Sequence, residues 1–149
     1  MKIFKVLLFS SLLIGGVTSC TTDKEDKDLK KVDTSLINKE NPAEIYAETF
    51  EFNFGEIAQG EKVEHKFKFK NTGSSPLILV DAKSTCGCTV PEIPTEPIAP
   101  GAEGEILVKF NSDYKKGEIN KVISVAANTY PETTTKFYLK GTVIVPDIK

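Results

Sequence analysis

Cys86 and Cys88, with His65 as the only imidazole, are the residues of this 149-residue chain whose types could carry soft-metal or redox chemistry. The two cysteines stand two apart in Ser84-Thr85-Cys86-Gly87-Cys88-Thr89. In extended backbone, residues i and i+2 share a face with their Cα atoms roughly 6 to 7 Å apart, outside good disulfide geometry. A bond between them therefore needs a tight turn, which Gly87 allows. Three readings of the pair stay open. It can be structural, either a disulfide locking a turn or two small buried thiols. It can be a reversible redox couple, since a small strained ring is easily reduced. It can bind a soft metal, because paired thiolates suit Cu(I) or Zn. The metal reading must find more ligands: His65, carboxylates or a second molecule.

His65 itself is expected on the inward face of a strand, as a polar residue tolerated in the core; only a neighbouring thiol or carboxylate would give it work. No Gly-x-Ser-x-Gly elbow is present, and the carboxylates are scattered over expected wet faces. The sequence therefore offers no catalytic residue and implies no cofactor.

The third cysteine, Cys20, reads as an address. Lys2 and Lys5 precede an apolar run from Ile3 to Ile14, and Val17-Thr18-Ser19-Cys20 closes it with small residues. The run is too short to span a bilayer, which takes about 20 residues, and has the form of a secretory leader. Val17 to Cys20 resembles a bacterial lipobox, which implies lipidation of Cys20 after removal of residues 1–19. The expected product runs from Cys20 to Lys149, and losing two lysines with no acid moves its net charge from −2 to −4. Membrane attachment is then through lipid. Thr21 is not the aspartate associated with inner-membrane retention in some bacteria, so the expected location is the outer membrane, at its periplasmic face or the cell surface. All 19 basic residues are lysines, so the guanidinium fork used for bidentate phosphate and base recognition is missing and nucleic acid is not an expected partner. The expected partner is another envelope protein.

These residues must be positioned by the rest of the chain, which divides into three parts. Residues 1–19 form the leader. Residues 20–43 are polar and mixed in charge, with Asp23-Lys24-Glu25-Asp26-Lys27-Asp28 in succession, and read as a tether with an r.m.s. reach of about 25 Å. Residues 44–149 form one domain. There the apolar spacing is two, the period of strands. Val63, His65, Phe67 and Phe69 alternate with Glu64, Lys66, Lys68 and Lys70. Phe50, Phe52 and Phe54 alternate likewise, as do Ile106, Val108 and Phe110, and Phe137 through Val145. Leu77 to Val80 and Ile119 to Val125 are further expected strands. Turn signals separate them: Gly55, Gly60, Asn71-Thr72-Gly73, Pro100-Gly101, Lys116-Gly117 and Asn128 to Pro131. Pro91, Pro94 and Pro97 lack the amide hydrogen a central strand needs, so Thr89 to Ala99 should be an edge or a loop. The prediction is all-β: an immunoglobulin-like antiparallel sandwich of about seven strands.

The order of these motifs resembles the DUF1573 family. Phe52-Asn53-Phe54-Gly55-Glu56-Ile57 is similar to its opening, Phe67 to Gly73 follows, and Ser84 to Thr89 is similar to its signature. Pro100-Gly101, Ile106 to Phe110, Gly117, Lys121, Val125, Asn128 and Leu139 to Val143 continue in order, so the resemblance covers about residues 49 to 145. It implies an exported domain akin to the modules of the major sperm protein and pilus-chaperone type, with no established activity. One departure stands out. The family often carries a tryptophan shortly after the double cysteine, where this chain has Ile93 and no tryptophan anywhere.

Overall fold

The structure, a computed structural model, describes residues 29–145. Cys20 and the expected leader lie outside the described residues. Two four-stranded sheets face each other. The first has the order β1 (Ile45–Tyr46), β3 (Lys62–Asn71), β6 (Glu103–Asn111), β5 (Thr89–Glu92). The second has the order β2 (Glu51–Ala58), β8 (Thr134–Ile144), β7 (Gly117–Ala127), β4 (Leu79–Ser84). The fold is an immunoglobulin-like β-sandwich; among the described residues its only helical element is a single 3-10 turn at Thr34–Leu36.

Alternation produces the core directly. On β3 the side chains of Phe67 and Phe69 are buried while Glu64, Lys66 and Lys68 are exposed. Across the ladder Phe67 stands opposite Ile106 and His65 opposite Val108. The second sheet answers with Ile123, Val125, Phe137, Leu139 and Val143, all nearly or fully buried. Each such side chain contributes about 1.5 to 3 kcal/mol by leaving water, so the interface between the sheets is what holds the domain together.

One pair departs from the antiparallel expectation: β2 and β8 run parallel, from Glu51 opposite Tyr138 to Ala58 opposite Ile144. Alternation fixes which face of a strand is buried and says nothing about the direction of its neighbour. Here the β2–β3 turn carries the chain from one sheet to the other, so β2 pairs with the last strand in place of the next one. The β2 register shifts between Asn53 and Glu56, where Gly55 takes a φ of +76° and donates its N–H to Asn53 Oδ1. The described residues hold eight strands, the added one being the two-residue β1.

Of the expected tether, 20–43, residues 29–43 lie against the sandwich. The Lys30 N–H donates to Asp81 Oδ2 at 2.9 Å, and the Leu36 carbonyl accepts from Asn128 Nδ2 at 3.2 Å. Ala43 is 1% exposed and bridges to Thr129. This covering accounts for the burial of Ala126 near the end of β7, which lines a cleft walled by Leu29, Val32 and Ile37.

Candidate functional site

The Cys86-Gly87-Cys88 turn sits where the chain leaves β4 in the second sheet and enters β5 in the first. Backbone bonds pin both sides of this crossover. The Thr85 N–H reaches the Val122 carbonyl of β7 at 3.3 Å, and the Cys88 carbonyl accepts from Asn111 N–H of β6 at 2.9 Å. Between them the Thr89 N–H donates back to the Cys86 carbonyl at 3.2 Å, which tightens the chain so that the two Cα atoms stand 5.3 Å apart and the sulfurs are joined as a disulfide. Both cysteines are half-buried, with Cys88 packed on the core. Gly87 is exposed, its φ lies outside the left-handed region, and a Cβ placed there meets nothing within 4 Å. The turn thus does not use the conformational range that only glycine has, contrary to the expectation from sequence.

His65 faces inward from β3. Its ring stacks on Phe52 of the opposite sheet at 3.7 Å between centroids and meets Phe67 edge-on at 4.6 Å. Phe67 continues the aromatic row to Phe137, and Phe137 to Phe50. Burial pulls the His65 pKa below its ordinary value of 6.5, because charging the ring inside this row means giving up water. The imidazole and the cysteines do not meet. His65 is level with Val108 of β6 and so with Pro91 of β5, two strands across and three residues along from Cys88, a separation of about 14 Å. Among the described residues, no group of three or more His, Cys, Asp or Glu is placed to hold a metal ion.

In the sequence Asn71 is marked only as a turn residue, yet its side chain makes four hydrogen bonds at the other end of the sandwich. It is fully buried; Nδ2 donates to the carbonyls of Ser75 and Ile98 at 2.8 and 2.9 Å. Its Oδ1 accepts from the N–H groups of Gly73 and Glu44 at 3.0 and 3.3 Å. One amide so ties the entry to β1, the turn after β3 and the loop before β6. Gly73 makes this possible: a Cβ there would fall 2.3 Å from the Pro42 carbonyl oxygen and 2.6 Å from Ala43 Cα, backbone atoms that cannot yield. The signal in the sequence was Asn71-Thr72-Gly73 itself, which marks a turn and leaves unstated what the amide holds.

The fold recurs in solved structures. A protein of unknown function from Porphyromonas gingivalis aligns with a TM-score of 0.58 at 16% identity, over 68% of this chain and 46% of that one. PapD-like domain 7 of human CEP192 aligns at 0.53 and 14% identity, over 71% of this chain and 89% of that domain. The secreted serine protease VesC from Vibrio cholerae aligns at 0.51 and 15% identity, over 68% of this chain and 23% of that protein. This chain thus spans under half the length of the Porphyromonas protein, and at such identities the likeness concerns the fold alone. No curated protein sequence is matched. Residues 45–143 match the family model described as "Protein of unknown function (DUF1573)", and the chain belongs to that family.

Proposed function

We propose that the protein is a non-catalytic, protein-binding module of the cell envelope, anchored at the outer membrane by lipid on Cys20. The observation that carries the non-catalytic reading is the location of His65. The chain's only imidazole is spent on stacking between Phe52 and Phe67, about 14 Å from the cysteines, and among the described residues it hydrogen-bonds no hydroxyl or thiol. The lipid reading is supported by the run from Lys2 to Cys20, and the tether leaves residues 21–28 between the anchor and the docked segment. Growing cells with an alkyne-tagged fatty acid tests the anchor: wild type should incorporate the tag and Cys20→Ser should not. Equal labelling of the two proteins would reject it.

A second reading has one observation in its favour, the half-exposed Cys86–Cys88 disulfide. As a redox module it would take two electrons and two protons from a dithiol partner, leaving two thiols here and a disulfide on the partner. Its thiolate form could hold Cu(I). Serine at both positions separates the readings, since a binding module keeps its partner and a redox or copper protein loses its activity.

A further inference from the structure

We propose that the open edge of β3 binds an extended segment of a partner protein in which acidic and apolar residues alternate. This rests on reading the domain as a protein-binding module and names the surface and the partner's chemistry.

β3 is ten residues long and pairs with β6 along nearly all of it, from Lys62 opposite Asn111 to Lys70 opposite Glu103. On its other side β1 covers only Asn71 and Lys70. Which backbone groups this leaves open follows from the bonds at the two ends. The Asn71 N–H donates to the Ala102 carbonyl and the Glu61 carbonyl accepts from Ser112 N–H, so the odd-numbered residues point toward β6. Alternation then aims the N–H and C=O of Lys62, Glu64, Lys66 and Lys68 outward, without a backbone partner among the described residues. That row is about 20 Å long, enough for a strand of six or seven residues. A groove of about 650 Å³ runs beside residues 65–70 of this edge, and its far wall is made by Tyr46, Glu48 and Thr49.

The two faces of β3 dictate the partner. On the outer face Lys62, Lys66, Lys68 and Lys70 stand in a row broken by Glu64; Lys66 is held by Glu105 at 2.7 Å, Lys68 and Lys70 stand across from Glu105 and Glu103 of β6 without a contact ion pair among the described residues, and Lys62 faces the uncharged Asn111. Carboxylates of an added strand would lie across from these ammonium groups, the geometry in which opposite charges stabilise neighbouring strands. On the inner face the half-buried Val63 and the half-buried His65, stacked on Phe52, offer an apolar seam for the alternate side chains, whereas Tyr46, paired with Lys70, stands on the outer face. A second copy of β3 does not fit. Laid antiparallel about Lys66 it would set Lys62 against Lys70 at both ends and Lys66 against itself, three like-charge pairings against the two of Glu64 with Lys68. Main-chain bonds would supply affinity and the charge row would set register, as in other strand-addition complexes. Lysines on an edge can instead serve only to repel other strands, and the experiment must separate these roles.

The probes are two ten-residue peptides, one alternating glutamate with valine and one alternating lysine with valine, titrated into the full chain in detergent and followed by backbone amide NMR. The glutamate peptide should bind at least tenfold more tightly and should slow hydrogen exchange at Lys62, Glu64, Lys66 and Lys68. In the double variant Lys68→Glu/Lys70→Glu the preference should reverse, which a folding defect cannot mimic. Binding of neither peptide, equal binding of both, or dimerisation through β3 overturns the proposal. The module reading is tested apart from it, by photo-cross-linkers in living cells at Lys66 and at Tyr114, which is 94% exposed in the loop between β6 and β7. A partner captured only from Tyr114 would sink the edge and keep the module; capture from neither position would sink both.

Discussion

Reducing the Cys86–Cys88 bond measures how much of the fold depends on it. In the chain-entropy treatment a cross-link stabilises by restricting the unfolded state, and the loop closed here holds three residues. The entropy relation then gives about 1.6 kcal/mol at 25 °C, against about 3 kcal/mol for a loop of 15 residues. Backbone bonds from Thr85 to Val122 and from Asn111 to Cys88 secure the crossover independently of the sulfurs. The reduced protein should therefore stay folded, with a melting temperature lower by about 5 to 10 °C for a domain of this size. Urea titrations of the oxidised protein, the reduced protein and the Cys86→Ser/Cys88→Ser variant would read the change directly. The double serine should lose somewhat more than reduction does, because Cys88 packs on the core and a hydroxyl there gives up water. Unfolding on reduction, or a loss beyond about 4 kcal/mol, would refute the calculation by showing that the pair holds the two sheets together. No change at all would refute it from the other side.

Asn71→Ala strips partners from the Ser75 and Ile98 carbonyls and from the Gly73 and Glu44 N–H groups, and should cost about 3 kcal/mol in urea unfolding; a loss below about 1 kcal/mol would mean water replaces the amide easily. Gly87→Ala meets no atom and needs no left-handed φ, so its stability should stay within about 0.5 kcal/mol of wild type. A loss above about 2 kcal/mol there would show that the turn does use glycine's freedom. His65 gives a pH dependence whose sign is fixed. Burial lowers its folded pKa below 6.5, so its contribution is complete above pH 6.5 and is lost as pH falls through the folded value, where the unfolded chain takes up the proton first. Wild type should weaken over that window relative to His65→Phe; a constant difference between the two proteins would refute the assignment.

What the sequence determined by itself is the local part of this protein. A period of two at Val63 to Lys70, Glu105 to Phe110 and Lys136 to Val143 sets which side chains are buried, because successive residues of a strand point to opposite faces wherever the strand is placed. Prolines 91, 94 and 97 confined their segment to an edge, since a missing N–H is missing in any fold. Lysine-only basicity and the pattern ending at Cys20 are likewise properties of composition and order. What only the tertiary structure decided is who neighbours whom. The parallel pairing of β2 with β8, the seating of residues 29–43 on β7, the four bonds of Asn71 and the distance from His65 to the cysteines all join positions far apart in the chain. Alternation carries no information about such partners, because a strand with one apolar face is satisfied by any sheet that covers it. The open edge of β3 is the clearest case. Its ten residues are as regular as any in the chain, and only the fold shows that, among the described residues, one of their two sides has a strand neighbour at Lys70 and Asn71 alone.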